Sequence, residues 1–245
     1  MSRAALARGL GAPIIPAVQR RDFIRVTAVG ALAAALPVQA RQRLRPAGIK
    51  GTIRIACVGD SITWGAGVED RERNHYPAVV QQILGTGYDV RNFGVSGATL
   101  LKRGDLPYWD TPAFAESTAL RPHAVVIKLG TNDSKPQNWR YRADFPRDAF
   151  ALVRHYLRLR PAAPLVYLCT PVPVMREAFG INGIVVEREI APALRRVAQD
   201  TGVALVDLFI KLAGVPHHFP DGIHPNAAGA AFIADAVADA LGGVY

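Results

Sequence analysis

Ile53-Arg54-Ile55-Ala56-Cys57-Val58-Gly59-Asp60-Ser61-Ile62-Thr63 is the stretch on which the reading of this chain turns. It opens as a β-branched, apolar run, the pattern of a strand buried on both faces. It breaks at Gly59-Asp60, a turn dipeptide, and Ser61 follows at once. In open parallel α/β sheets ligands bind at the carboxyl ends of the strands. A serine at that point is a candidate nucleophile, although taken alone it also suits a helix cap.

Further strands read outward from this one. Tyr88 to Phe93, Ala124 to Leu129, Leu165 to Leu168 and Val203 to Val206 are short apolar runs. Helical periodicity fills the gaps. One helix spans about 76–84, with Val79, Val80, Ile83 and Leu84 on its apolar face. A second runs from Phe145 to Leu159, with Phe150, Val153 and Leu157 facing inward. A long helix covers Gly183 to Thr201, and an alanine-rich one runs from about Asn226 to Leu241. Residues 100–122 show no clear period, 134–142 read as loop or lid, and 208–219 as irregular. Strands alternating with helices imply a parallel sheet covered on both faces.

Three segments fall just past strand ends: Asp60-Ser61, the glycine-rich 92–97 stretch and Gly130-Thr131-Asn132-Asp133. An alcohol nucleophile needs a base, a group to orient that base, and donors for the developing oxyanion. His224 is the base candidate, because Asp221 lies three residues earlier across an Asp-Gly turn and can hold one ring nitrogen. The backbone N–H of Ser61, the backbone N–H of Gly97 and the side-chain amide of Asn132 are candidate oxyanion donors. Asn132 also suits a turn, and Gly97 a positive φ. Ser96, in Gly94-Val95-Ser96-Gly97-Ala98, nearly spells the G-x-S-x-G elbow, but Ala98 stands where that motif has glycine. His217 and His218 lack an acid three residues upstream, and His75, His123 and His155 have no supporting constellation. Trp64, Tyr108, Trp109 and Trp139 sit where they serve either the core or a sugar- or acyl-facing surface.

Gly59-Asp60-Ser61-Ile62, Asn92-Phe93-Gly94-Val95-Ser96-Gly97, Gly130-Thr131-Asn132-Asp133 and Asp221-Gly222-Ile223-His224-Pro225 resemble the four signature blocks of SGNH (GDSL-type) hydrolases, in order. The resemblance covers roughly residues 52–241. It implies a flavodoxin-like, three-layer α/β/α fold with a five-stranded parallel sheet in the order 2-1-3-4-5. It also implies esterase chemistry without a metal or other cofactor. By matching positions, Ser61 is the nucleophile, Gly97 and Asn132 are oxyanion donors, His224 is the base and Asp221 its partner. The run Lys128 to Pro136, with Trp139 beyond it, is similar to carbohydrate acetylesterases, including sialate O-acetylesterase-like members. Short acyl esters of carbohydrates are therefore the expected substrates, with Trp64, Trp109 and Trp139 as candidate contacts. A longer-chain acyl esterase or lysophospholipase, and a silent carbohydrate-binding module, are the rival readings. A flavodoxin-type nucleotide binder is disfavoured, since the first loop lacks a phosphate-cradling pattern.

The remaining features bear on where the protein works. Net charge is +9 over 245 residues. Five arginines against Asp22 give residues 1–40 a charge of +4, leaving +5 spread over the rest. No basic run with interleaved aromatics accompanies it, so a nucleic-acid partner is not indicated. Gln19-Arg20-Arg21-Asp22-Phe23-Ile24-Arg25 resembles a twin-arginine export signal, followed by a short alanine-rich apolar stretch, Pro37 and a small residue at Ala40. The expected organisation is a signal peptide over 1–40, a lead-in over 41–51 and a hydrolase domain over 52–245. The mature protein is expected in the periplasm or outside the cell, without stable membrane insertion. Cys57 and Cys169 lie in strands kept apart by a third, so they read as buried thiols.

Overall fold

A computed structural model describes residues 51–161 and 163–242. The export segment expected over residues 1–40 lies outside the described residues, as does all but the last residue of the lead-in. Strand β1 (Ile53–Gly59) runs into the one-turn helix α1 (Ser61–Trp64). Helices α2 (Arg71–Asn74) and α3 (Tyr76–Leu84) lead to β2 (Tyr88–Gly94). Then come α4 (Pro112–Ala119), β3 (Ala124–Lys128), α5 (Pro136–Trp139), α6 (Phe145–Leu157) and β4 (Leu165–Cys169). Helix α7 (Gly183–Val185) passes through a π-helical segment, Val186–Ile190, into α8 (Ala191–Thr201). Strand β5 (Ala204–Val206), α9 (Leu208–Lys211) and α10 (Ala227–Leu241) complete the domain.

The five strands form one sheet in the order β2-β1-β3-β4-β5, and every neighbouring pair is parallel. This is the expected order. The period-2 alternation of a strand divides each one between two cores. Along β1, Ile53, Ile55 and Cys57 enter one cluster with Tyr76 and Val80 of α3 and Ile233, Val237 and Leu241 of α10. Ala56 and Val58 enter the other, with Phe145, Leu152 and Tyr156 of α6 and Leu194 and Val197 of α8. Each fully buried aliphatic side chain in such a core contributes about 1.5–3 kcal/mol over leaving it in water. The result is the three-layer α/β/α arrangement. Cys57 and Cys169 are both free and buried, with β3 between their strands.

Several details differ from the pattern read in the sequence. Phe150 is exposed, not inward, because the buried stripe of α6 runs through Phe145, Ala149, Leu152, Val153 and Tyr156. One residue past Ala149 is about 100° round the helix. Ile83 likewise points outward, while Val80 is buried and Val79 and Leu84 pack against the core as expected. The long helix at 183–201 is interrupted because Pro192 has no N–H for the carbonyl of Arg188 and crowds it. The stretches at 100–122, 134–142 and 208–219 hold α4, α5 and α9, helices too short to show a period.

Strand register decides what meets at the carboxyl edge. Gly59 pairs with Gly94 on β2 and with Lys128 on β3, so three strands end level. The turn carrying Ser61 therefore lies between the 94–98 and 128–134 segments. Gly59 must lack a side chain here: a Cβ would stand 2.6 Å from the carbonyl oxygen of Lys128.

Candidate active site

Asp60 caps α1, its Oδ1 accepting the N–H of Ile62 at 3.0 Å. That cap turns the chain sharply enough to set Ser61 at the first helical position, 8 % exposed. Beneath it lies a pair that the sequence reading missed. The ammonium of Lys128 donates to both Asp60 carboxylate oxygens and to Thr131 Oγ1, each at 3.0 Å, and both charged side chains are fully buried. The signal was present: a lysine closing an apolar strand is unusual, and its register partner precedes an aspartate. The pair braces the Ser61 turn against the segment that carries Asn132.

His224 arrives from the far end of the chain. Its Nε2 lies 2.9 Å from Ser61 Oγ, across 163 residues of sequence. Its Nδ1 lies 2.7 Å from Asp221 Oδ2. Asp221 Oδ1 in turn accepts the backbone N–H groups of Ile223 and His224 at 2.8 and 2.7 Å. Desolvation pulls the Asp221 carboxyl upward, but the backbone and imidazole donors of His224 and the Ile223 N–H outweigh it and hold the carboxyl below its usual range. With Nδ1–H directed at that carboxylate, Nε2 is left as the acceptor facing the serine. Ser96 is exposed and has no such neighbour, whereas Ser61 does.

The candidate donors flank this line. Gly97 has φ +86°, a left-handed conformation that glycine adopts at no steric cost. Asn132 is nearly buried, and one of its two amide hydrogens goes to Ala98 O at 3.1 Å. Asp133, also missed in the sequence, fixes the loop beyond Gly97. Its Oδ2 accepts from Leu100 N at 2.9 Å and its Oδ1 from Leu101 N at 2.7 Å. Burial pushes its carboxyl up to about 7, against the pull of these two donors.

The profile of the GDSL-like lipase/acylhydrolase family matches residues 57–232. This chain belongs to that family. An acetylxylan esterase of Xylanibacter ruminicola is 40 % identical to this GDSL-family chain over 80 % of its length. The chain spans 44 % of the length of that relative. Among solved structures, the aryl esterase of M. smegmatis superposes with a TM-score of 0.66 at 26 % identity, covering 79 % of this chain and all of its own. A carbohydrate acetylesterase of Sinorhizobium meliloti shares the fold with a TM-score of 0.66 at 22 % identity and the same coverage.

The three tryptophans of this family member sit in three different settings. Trp64, on α1, is 42 % exposed, with the Arg71 guanidinium 4.2 Å above its ring. Trp109 is held by packing: its indole N–H donates to Leu100 O, Phe114 lies 5.4 Å away and the Lys102 ammonium sits 4.1 Å above the ring. Trp139 lies in the core, against Phe145, rather than on an open surface. Phe179 meets the site directly, its ring centroid 5.4 Å from that of His224. The other histidines have local partners. His75 Nδ1 accepts from Ala78 N and His123 Nδ1 from Arg54 N, His155 meets Thr118, and the His217 ring lies tilted against that of His218.

Proposed function

We propose that this protein is an exported serine esterase that removes short acyl groups, acetyl first among them, from carbohydrate. The observation that carries the reading is the unbroken hydrogen-bonded line Asp221–His224–Ser61, at 2.7 and 2.9 Å, at the carboxyl edge of the sheet. Membership of the GDSL-like lipase/acylhydrolase family supports ester hydrolysis, and the relative named acetylxylan esterase supports an acetylated glycan. The paired-arginine segment supports export, which is checked by asking whether cell fractionation finds the protein outside the cytoplasm.

In this mechanism His224 Nε2 takes the hydroxyl proton as Ser61 Oγ attacks the ester carbonyl. Asp221 keeps the imidazole in the required tautomer and stabilises the imidazolium. The tetrahedral oxyanion is met by the Ser61 and Gly97 N–H groups and the remaining Asn132 amide hydrogen. Collapse breaks the C–O bond to the alcohol, which leaves with the proton returned by His224. Water, deprotonated by the same imidazole, then releases the acid from the acyl-serine. No step asks for a cofactor.

Acetate release from acetylated xylo-oligosaccharides tests the reading. Wild type should turn over and Ser61→Ala should not, while remaining folded by circular dichroism. A p-nitrophenyl ester series separates the rivals: a preference for long acyl chains would replace acetyl by a lipid-type ester. Binding of the oligosaccharide without turnover would make the domain a carbohydrate-binding module.

A further inference from the structure

We propose that Phe179 is a substrate-contact residue that receives the sugar ring on the alcohol side of the ester. The proposal rests on the esterase reading of the Ser61 site. Four observations lead to it.

Phe179 lies against the imidazole of His224, with an interplanar angle of 61°, yet 62 % of its surface faces solvent. A ring of that size left open beside the site costs apolar exposure that the core does not recover. Second, its backbone is strained. Phe179 has φ +54° and Gly180 φ +74°, and Ile181 N donates to Ala178 O at 2.9 Å. Two positive φ values inside a four-residue turn are the signature of a type I′ turn, whose first corner ordinarily holds Asn, Asp or Gly. A bulky aromatic there breaks the local rule, and such outliers cluster at ligand clamps.

Third, the turn sits on a fixed base. Met175 N donates to Gly222 O at 2.9 Å and Arg176 Nη2 to Pro220 O at 3.1 Å, tying one arm to the His224 loop. Asn182 N donates to Ser134 Oγ at 3.1 Å, tying the other arm to the segment after Asn132. Ile181, 4 % exposed, anchors the turn in the interior. The ring is thus presented from a span that bridges the base and the oxyanion side.

The fourth observation is chemical and fixes which part of the substrate meets the ring. His224 returns its proton to the departing alkoxide, so the alcohol oxygen must lie at Nε2. A ring packed on that imidazole therefore borders the alcohol, not the acyl group. For an acetylated glycan the alcohol is a pyranose, whose C–H face matches an aromatic surface.

The test uses Phe179→Asn, which suits the turn better than phenylalanine does, and Phe179→Trp, which keeps an aromatic ring. Substrates are an acetylated methyl xylopyranoside, ethyl acetate, whose alcohol is too small to reach the ring, and ethyl butyrate. For Phe179→Asn we expect kcat/KM on the sugar ester to fall roughly 3- to 10-fold, chiefly through KM, the range of one aromatic contact. Ethyl acetate should change by less than about 2-fold, the butyrate-to-acetate ratio should hold, and Tm should be unchanged or higher. Phe179→Trp should keep most of the sugar-ester activity. Equal loss on ethyl acetate would make the ring a support for His224 and overturn the proposal. A changed butyrate-to-acetate ratio would move it to the acyl side, and an unaltered sugar-ester KM would leave it without a ligand; either result overturns the proposal too. If wild type cleaves ethyl acetate but not the sugar ester, this proposal falls and the esterase reading stands. If it cleaves neither, the esterase reading itself falls.

Discussion

Replacing Lys128 by methionine removes a cation while nearly conserving volume, and leaves the Asp60 carboxylate buried without its partner. The ammonium makes three bonds of 3.0 Å, and neither side chain has any solvent exposure to soften the loss. An uncompensated charge in such a setting costs about 3–5 kcal/mol, against about 0–1 for an exposed pair. With a urea slope of about 2 kcal/mol per molar, the unfolding midpoint should drop by roughly 1.5–2.5 M. The double variant Lys128→Met with Asp60→Asn removes both charges but keeps an oxygen to cap Ile62 N. It should recover to within about 1–2 kcal/mol of wild type, since a buried ion pair adds little net stability over neutral groups. Urea titrations followed by tryptophan fluorescence measure all three proteins. A loss below about 1 kcal/mol in the single variant, or a double variant no better than the single, would refute this account of the pair.

Further outcomes follow from the site. Asn132→Ala should lower kcat by about 10²–10³-fold with little change in KM on an acetyl ester, since the lost amide acts on the oxyanion; an unchanged kcat removes it from that role. Asp133 makes a pH prediction whose sign is set by burial, which lifts its pKa to about 7 from the ordinary aspartate value of about 3.9. The native state holds that proton to higher pH than the unfolded chain does. Stability from this group is therefore complete below about pH 4 and is lost as pH rises through about 7. Asp133→Asn should flatten the decline between about pH 4 and 7 in denaturant titrations, and an unaltered slope would contradict it. Asp221 contributes in the opposite sense. Its depressed pKa gives stability present above the ordinary carboxylate range and lost as pH falls through the lower folded value.

The strands and their ends were legible because a doubly covered parallel strand is an unbroken apolar run and turn residues punctuate it. The strand order came with the family resemblance, and the sheet has that order. Ser61, Asp221 and His224 could be nominated because Asp-Gly-Ile-His is local, and the structure brings the three side chains into one hydrogen-bonded line. What stayed hidden depends on register or on which way a side chain points. Lys128 meets Asp60 only because Gly59 and Lys128 are paired across two strands. Phe150 and Ile83 were set on the wrong helix faces because their apolar character suggests burial, whereas the buried stripes run through Tyr76 and Val80 in α3 and Phe145, Leu152 and Tyr156 in α6. Phe179 lies in a stretch with no period, and its left-handed backbone contradicts what a phenylalanine announces.

The 163-residue gap between serine and imidazole makes their meeting a property of the assembled core, not of any one segment. The nucleophile stands at the end of β1 and the imidazole on the loop just ahead of α10, and residues of both elements, Ile53, Ile55 and Cys57 with Ile233, Val237 and Leu241, fill one core. The contact between them therefore depends on how α10 seats against the sheet. Loosening α10 alone would thus part the imidazole from the hydroxyl while leaving the strand that carries the serine in place.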